Sequence, residues 1–135
     1  IREVAAIAAL SQCLVEHYSR EIDAGRPTPK LPPWFAQENK WRAARYGMDA
    51  ILIIDEAGEE ELVTKDLRRL LDMLEPVAKD LGCLEELHGI DDILAAGASY
   101  QRQRKVAESA NGALDSVVAA LVAEMRAGRP LLNGV

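Results

Sequence analysis

Glu38-Asn39-Lys40-Trp41-Arg42-Ala43-Ala44-Arg45-Tyr46-Gly47 combines two guanidinium groups, an indole, a phenol and a carboxamide within ten residues. Its alanines, arginines and lysine are good helix formers, and Gly47 suits the position just past a helix end. At about 100° per residue, Phe35, Asn39, Arg42, Ala43 and Tyr46 share one face. Trp34, Glu38, Trp41 and Arg45 share the adjacent face, which leaves Gln37, Lys40 and Ala44 pointing elsewhere. Most of this helix is therefore expected to face protein or ligand. An arginine on such a helix needs an anionic partner, because an unpaired buried charge is costly. Arg42 and Glu38 are spaced to pair with each other, and Trp41 and Arg45 to form a cation–π contact. A phosphate or a substrate carboxylate would serve Arg42 equally well.

Working outward, Pro27, Pro29, Pro32 and Pro33 fall within seven residues before the helix. Their fixed φ and missing N–H groups predict an extended linker over 24–33, with Pro33 opening the signature helix, roughly 33–46. Upstream, Ile7, Leu10, Leu14, Tyr18 and Ile22 recur at helical steps and predict a helix over 3–23, stopped by Gly25 and Pro27. Cys13 and His17 lie one turn apart on it; no further ligand or orienting acid is near, so a structural role is expected.

Downstream, Ala50-Ile51-Leu52-Ile53-Ile54 reads as a short strand, Asp55–Glu59 as a turn and Leu62-Val63-Thr64 as the returning strand, giving one β-ribbon over 49–64. Glu56, Glu59, Glu60 and Glu61 are more simply a solvated turn than a cation site, and Asp49 a turn residue more simply than an amine or metal ligand. Thr64 is positioned to cap a helix with core face Leu67, Leu70, Leu71, Leu74, Val77, Ala78 and Leu81, bent at Pro76 and ended by Gly82. Further helices are expected over 83–95, with a possible break at Gly89, and over 99–109. A final helix is expected on Leu114, Val117, Val118, Leu121, Val122 and Met125, with 128–135 as a disordered tail. The fold class is mainly α with one small β-hairpin.

The 135 residues carry a net charge of −6. That balance argues against nucleic-acid binding, which needs a basic surface. No apolar run reaches the roughly 20 residues of a membrane span, and no signal peptide is visible. Cys13 and Cys83 form no metal or CxxC spacing and read as reduced thiols of a cytoplasmic protein. The apolar pattern already runs at Ile1, as in a piece of something longer.

Extended through Met48-Asp49-Ala50, the signature resembles the stretch near the C-terminal end of the bacterial type-2 glutamate–cysteine ligases, also called carboxylate–amine ligases. Tyr100-Gln101-Arg102-Gln103-Arg104 is similar to that family's later RQR element, although by itself such a charge run reads as a solvated helix face. The resemblance covers nearly the whole chain. It implies the C-terminal part of a ligase with a glutamine-synthetase-like fold, using ATP and Mg2+ to phosphorylate a carboxylate, which an amine then attacks.

Under that resemblance Arg42 and Arg45 are the expected catalytic cations, Arg42 first because Asn39 and Tyr46 share its face. Asn39, Trp41, Tyr46, Arg102 and Arg104 are the expected substrate or nucleotide contacts. No metal ligand is assigned, because the family's acidic strands lie in its larger N-terminal part, the expected partner of this chain. The isolated segment is expected to bind no cofactor and to be inactive. Exposed apolar surface, or self-association, is expected where the rest would dock. The competing reading is a non-enzymatic helical module whose signature helix docks a partner.

Overall fold

The computed structural model describes residues 2–131. Six α-helices and one two-stranded antiparallel sheet make a mainly α fold among these residues. In order they are α1 (Arg2–Asp23), α2 (Pro33–Tyr46), a single 3-10 turn (Gly47–Asp49), β1 (Ile51–Ile53), β2 (Glu60–Leu62), α3 (Val63–Leu81), α4 (Leu84–Ala96), α5 (Ser99–Ser109) and α6 (Leu114–Ala127). They fall into two compact units. One comprises Leu10–Gly82; the other joins the residues up to Ala9 with those from Cys83 onward.

In the unit Leu10–Gly82, the prolines do what their geometry requires. Pro32 is extended at φ −50° and ψ 139°, and Pro33 opens α2. Gly47 takes φ 56° at the other end and donates its N–H to the Ala43 carbonyl, turning the chain toward β1. The hairpin register is Ile51 opposite Leu62, Leu52 opposite Glu61 and Ile53 opposite Glu60. Asp55 closes the turn by accepting the Glu59 N–H at 3.0 Å through its carboxylate. Gly58, at φ 86°, lies over the Phe35 ring. So α2 packs along β1, and α3 packs against β2 and the 3-10 turn.

The α3 core face is Leu71, Leu74, Val77 and Ala78, with Leu67, Leu70 and Leu81 partly covered. Pro76 sits in this helix without ending it; it is exposed, so the carbonyl it leaves unpaired, that of Asp72, is on the wet side. Gly82 closes the helix in the left-handed conformation. Thr64 is not the cap: the helix starts one residue earlier, after extended Leu62, because Val63 bonds back to Ala50 and ends the ribbon there. Arg20 on α1 ties to Asp80 on α3 at 2.7 Å.

In the second unit, α4 runs unbroken through Gly89. A Cβ there would lie 2.9 Å from the Ala6 Cβ, so the glycine lets α1 and α4 approach closely rather than interrupting a helix. The same closeness shifts the buried stripe of α1. Ala6 and Ala9 are buried, while Ile7 of the expected core face is exposed; on the part of α1 in the other unit, Cys13 is buried and Ile22 exposed. Small residues win the inner positions because they permit the approach. On α6, Val117 and Val122 turn inward, but Leu114, Val118, Leu121 and Met125, also expected inside, are exposed. Leu131, in the expected tail, donates its N–H to Glu124 at 3.2 Å; the tail's last residues, 132–135, lie outside the described residues.

Candidate functional site

The inner face of α2 reads Phe35, Asn39, Arg42 at helical spacing, and these are its partly covered residues beside Pro32. The ribbon decides what they do. Ala50 and Ile54 bond to β2-side residues Val63 and Glu59, so the alternate residues Ile51 and Ile53 turn their backbone groups away from β2. Asn39 meets that open edge. Its Nδ2 donates to the Ile53 carbonyl and its Oδ1 accepts the Ile53 N–H, both at 2.8 Å. Arg42 continues the edge with Nη1 donating to the Ile51 carbonyl at 3.0 Å. The same guanidinium reaches Glu38 at 2.9 Å and Glu60 at 2.7 Å. The hydrogen bonds from Glu38 and then Glu60 push its already high pKa further up.

The anion that Arg42 requires is therefore supplied by the protein twice over. With two carboxylates around one cation, a third anion meets net negative charge. This opposes the expected role of Arg42 as the phosphate or carboxylate ligand, and Asn39 spends one amide N–H and one oxygen lone pair on the Ile53 backbone.

The other half of the signature faces outward. No residue of α2 is buried, contrary to the expectation of a mostly covered helix. Trp34 is 66% exposed, Trp41 56% and Tyr46 49%. Trp41 and Tyr46 meet edge to face, ring centroids 5.8 Å apart at 84°. The Arg45 guanidinium lies over Tyr46, at 5.8 Å from the centroid, rather than over Trp41. Among the described residues Arg45 forms no ion pair, and neither does exposed Lys40; Arg45 is the guanidinium of this helix left available to an anion, beside the two exposed aromatic rings.

The RQR element divides the same way. Arg102 is 7% exposed and uses all five guanidinium N–H groups. Nε and Nη2 donate to Glu124 at 2.7 and 3.0 Å, Nη1 and Nη2 to Glu3 at 3.1 and 3.2 Å, and Nη1 to the Gly97 carbonyl at 2.5 Å. Burial works against the charge on Arg102, but the two carboxylates outweigh it and keep it protonated. The Arg102 hydrogen bonds hold the Glu124 carboxyl below the usual carboxylate range. Arg104 is exposed and forms no ion pair among the described residues. Glu3 and Glu124 are what sequence reasoning missed; nothing in their local pattern marks them, since 99 and 22 residues separate them from Arg102.

Among the described residues no three His, Cys, Asp or Glu side chains converge to hold a metal ion. The acidic turn does not converge either: Glu60 serves Arg42 and Glu61 serves Lys65. Neither cysteine is in a disulfide. No described helix is long and apolar enough to cross a membrane.

A helical segment whose signature helix anchors one cation and presents another is what the geometry defines. The chain belongs to the glutamate-cysteine ligase family 2, whose family model matches residues 1–120. It is 57% identical over 128 residues to "Putative glutamate--cysteine ligase 2-2" of Paenarthrobacter aurescens (strain TC1), covering 95% of this chain and 33% of the relative. Proteins of Clavibacter sepedonicus and Mycobacterium tuberculosis (strain ATCC 25177 / H37Ra), both named for glutamate–cysteine ligase 2, are 58% and 54% identical over 126 and 125 residues, each covering 93% of this chain and 33% of the relative. The chain thus spans about a third of the length of the curated relatives it matches. No solved structure gives a significant match.

Proposed function

We propose that this chain is part of a cytoplasmic, ATP-dependent carboxylate–amine ligase of the glutamate–cysteine type, and that the outward face of α2 is its share of the substrate site. The observation that carries the reading is Arg45: a cation free of protein carboxylates, flanked by exposed Trp41 and Tyr46, on a helix pinned from behind by Asn39 and Arg42. Family membership supports the ligase over a free-standing interaction module.

In such a ligase a phosphoryl group passes from ATP to a carboxylate, and an amine displaces phosphate from the acyl phosphate to leave an amide. Negative charge develops in both steps, and a preorganised guanidinium meets it at little reorganisation cost. Arg45 takes that task, with Trp41 and Tyr46 as apolar and hydroxyl-bearing walls. Arg104, exposed on α5, is a second anion contact. Asn39, Arg42 and Arg102 are positioning residues. ATP and Mg2+ are the cofactors this reading assigns to the full-length ligase.

The test is phosphate release by the full-length protein supplied with ATP, Mg2+, glutamate and cysteine, compared with its Arg45→Lys variant. Arg45→Lys is expected to lower turnover by about tenfold to a thousandfold, the range for removing one preorganised donor, with an unchanged melting temperature. Wild-type turnover in that variant would remove Arg45 from the site.

A further inference from the structure

We infer that Asn111 is a self-modification site, its carboxamide lost to the neighbouring backbone, and that the cap of α5 sets how fast this happens. Asn111-Gly112 lies in the turn that joins α5 to α6. There α5 ends in a Schellman cap: the Asn111 N–H donates to the Glu108 carbonyl at 3.3 Å and the Gly112 N–H to the Ala107 carbonyl at 2.7 Å. The left-handed position of such a cap favours glycine. Asn111 holds it instead, at φ 51°, the single non-glycine with positive φ among the described residues.

Asparagine tolerates that conformation, but its carboxamide is thermolabile. The backbone amide beside it is unhindered. Gly112, at φ 84°, has nothing within 4 Å of where a Cβ would stand, and both residues are exposed. The chemistry needs only water. The Gly112 nitrogen gives its proton to solvent and attacks the side-chain carbonyl carbon of Asn111. A C–N bond closes a succinimide ring as the old C–N bond breaks, and the leaving nitrogen takes a proton from solvent to depart as ammonia. Water then opens the ring at either carbonyl, leaving aspartate or isoaspartate.

One N–H cannot serve both ends. While Gly112 donates to Ala107, its proton is held and its nitrogen is committed to the cap, so attack waits for the end of α5 to open. Conversion then makes the cap worse. A carboxylate stands at the C-terminus of α5, against the helix dipole, and isoaspartate adds a methylene to the backbone. Arg102 of α5 and Glu124 of α6 are bonded across this helix pair, so the loosening reaches the clamp. Opening permits modification and modification favours opening, which makes Asn111 a one-way record of it.

Peptide mapping of the full 135-residue chain, aged in mildly alkaline buffer either folded or in urea, is the test. It reads Asn111 apart from a second Asn-Gly pair, Asn133-Gly134, which lies outside the described residues. Aspartate and isoaspartate are expected at Asn111 in the folded chain, forming at least about tenfold more slowly than in urea. Ala107→Gly weakens the end of α5 and should speed conversion of the folded chain about fivefold, with no change in urea. The aged chain should melt lower, whereas Asn111→Gly, which suits the left-handed cap, should keep its melting temperature with age. A folded rate equal to that in urea, an Ala107→Gly rate equal to the wild-type rate, or no conversion at Asn111 in folded Ala107→Gly would each overturn the proposal.

Discussion

The carboxamide of Asn39 bonds both the N–H and the C=O of Ile53 at 2.8 Å, standing where a neighbouring strand would. One side chain thereby satisfies a peptide unit that a two-stranded ribbon leaves open, and locks α2 to β1. Asn39→Ala removes both partners and leaves the Ile53 backbone unsatisfied in a partly buried place. A loss of about 1–3 kcal/mol is expected, read as a lower urea midpoint. Asn39→Asp should cost at least as much, because the carboxylate cannot donate to the Ile53 carbonyl.

Arg42→Lys and Arg45→Lys should separate cleanly. A lysine at 42 keeps the charge but cannot serve Glu38, Glu60 and the Ile51 carbonyl in one fork. Its melting temperature should drop, and any fall in turnover of the full-length protein should track that drop. Arg45→Lys should lose turnover without a change in melting. Equal melting temperatures for the two variants would contradict the positioning role of Arg42.

The isolated chain should release no phosphate above blank with ATP, Mg2+, glutamate and cysteine. The ground is the lack of a converging acidic cluster among the described residues. Robust turnover by the fragment would show that the catalytic groups are here after all.

Gly89→Ala ordinarily stabilises a helix by about 1 kcal/mol. Here the new methyl would stand 2.9 Å from the Ala6 Cβ, so the sign reverses. A net destabilisation of about 1–3 kcal/mol is expected, and Ala6→Gly in the same chain should recover most of it. Thermal melts of the single and double variants decide.

Acid should loosen the unit held by Arg102. The Arg102 hydrogen bonds, and secondarily the Leu131 N–H, depress the Glu124 carboxyl. A depressed acid lends stability above its unfolded value and loses it as pH falls through the folded value. Melting temperature should therefore decline below about pH 4.5, the ordinary glutamate value. Glu124→Gln should start lower and show a shallower decline, because it has no such proton to take up.

The helices were legible because their punctuation is strong. Pro33, Gly47, Gly82 and Gly128 sit at the boundaries they mark, and the apolar Ile51–Ile54 run announces a ribbon. What periodicity does not report is which apolar stripe wins the inside. On the start of α1, Ala6 and Ala9 displaced Ile7, since a close helix crossing rewards small side chains, and at Gly89 the glycine signalled approach rather than a break. For the site, spacing placed Arg42 and Asn39 on one face correctly, but chemistry alone reads the same for an anion pocket and for a strand edge. Only the register of β1 shows that the edge claims them. Arg102 hid its role more completely, since Glu3 lies at the far end of the chain.

That distance has a consequence for how the molecule is made. The unit Leu10–Gly82 is contiguous and can complete itself as it leaves the ribosome. The other unit is split, so its opening turn, with Ala6 and Glu3, emerges long before Gly89, Arg102 and Glu124 exist. Closing it means joining segments of high sequence separation, the slow kind of contact. Refolding should show the ribbon and its helices forming first, and the Arg102 clamp snapping shut last.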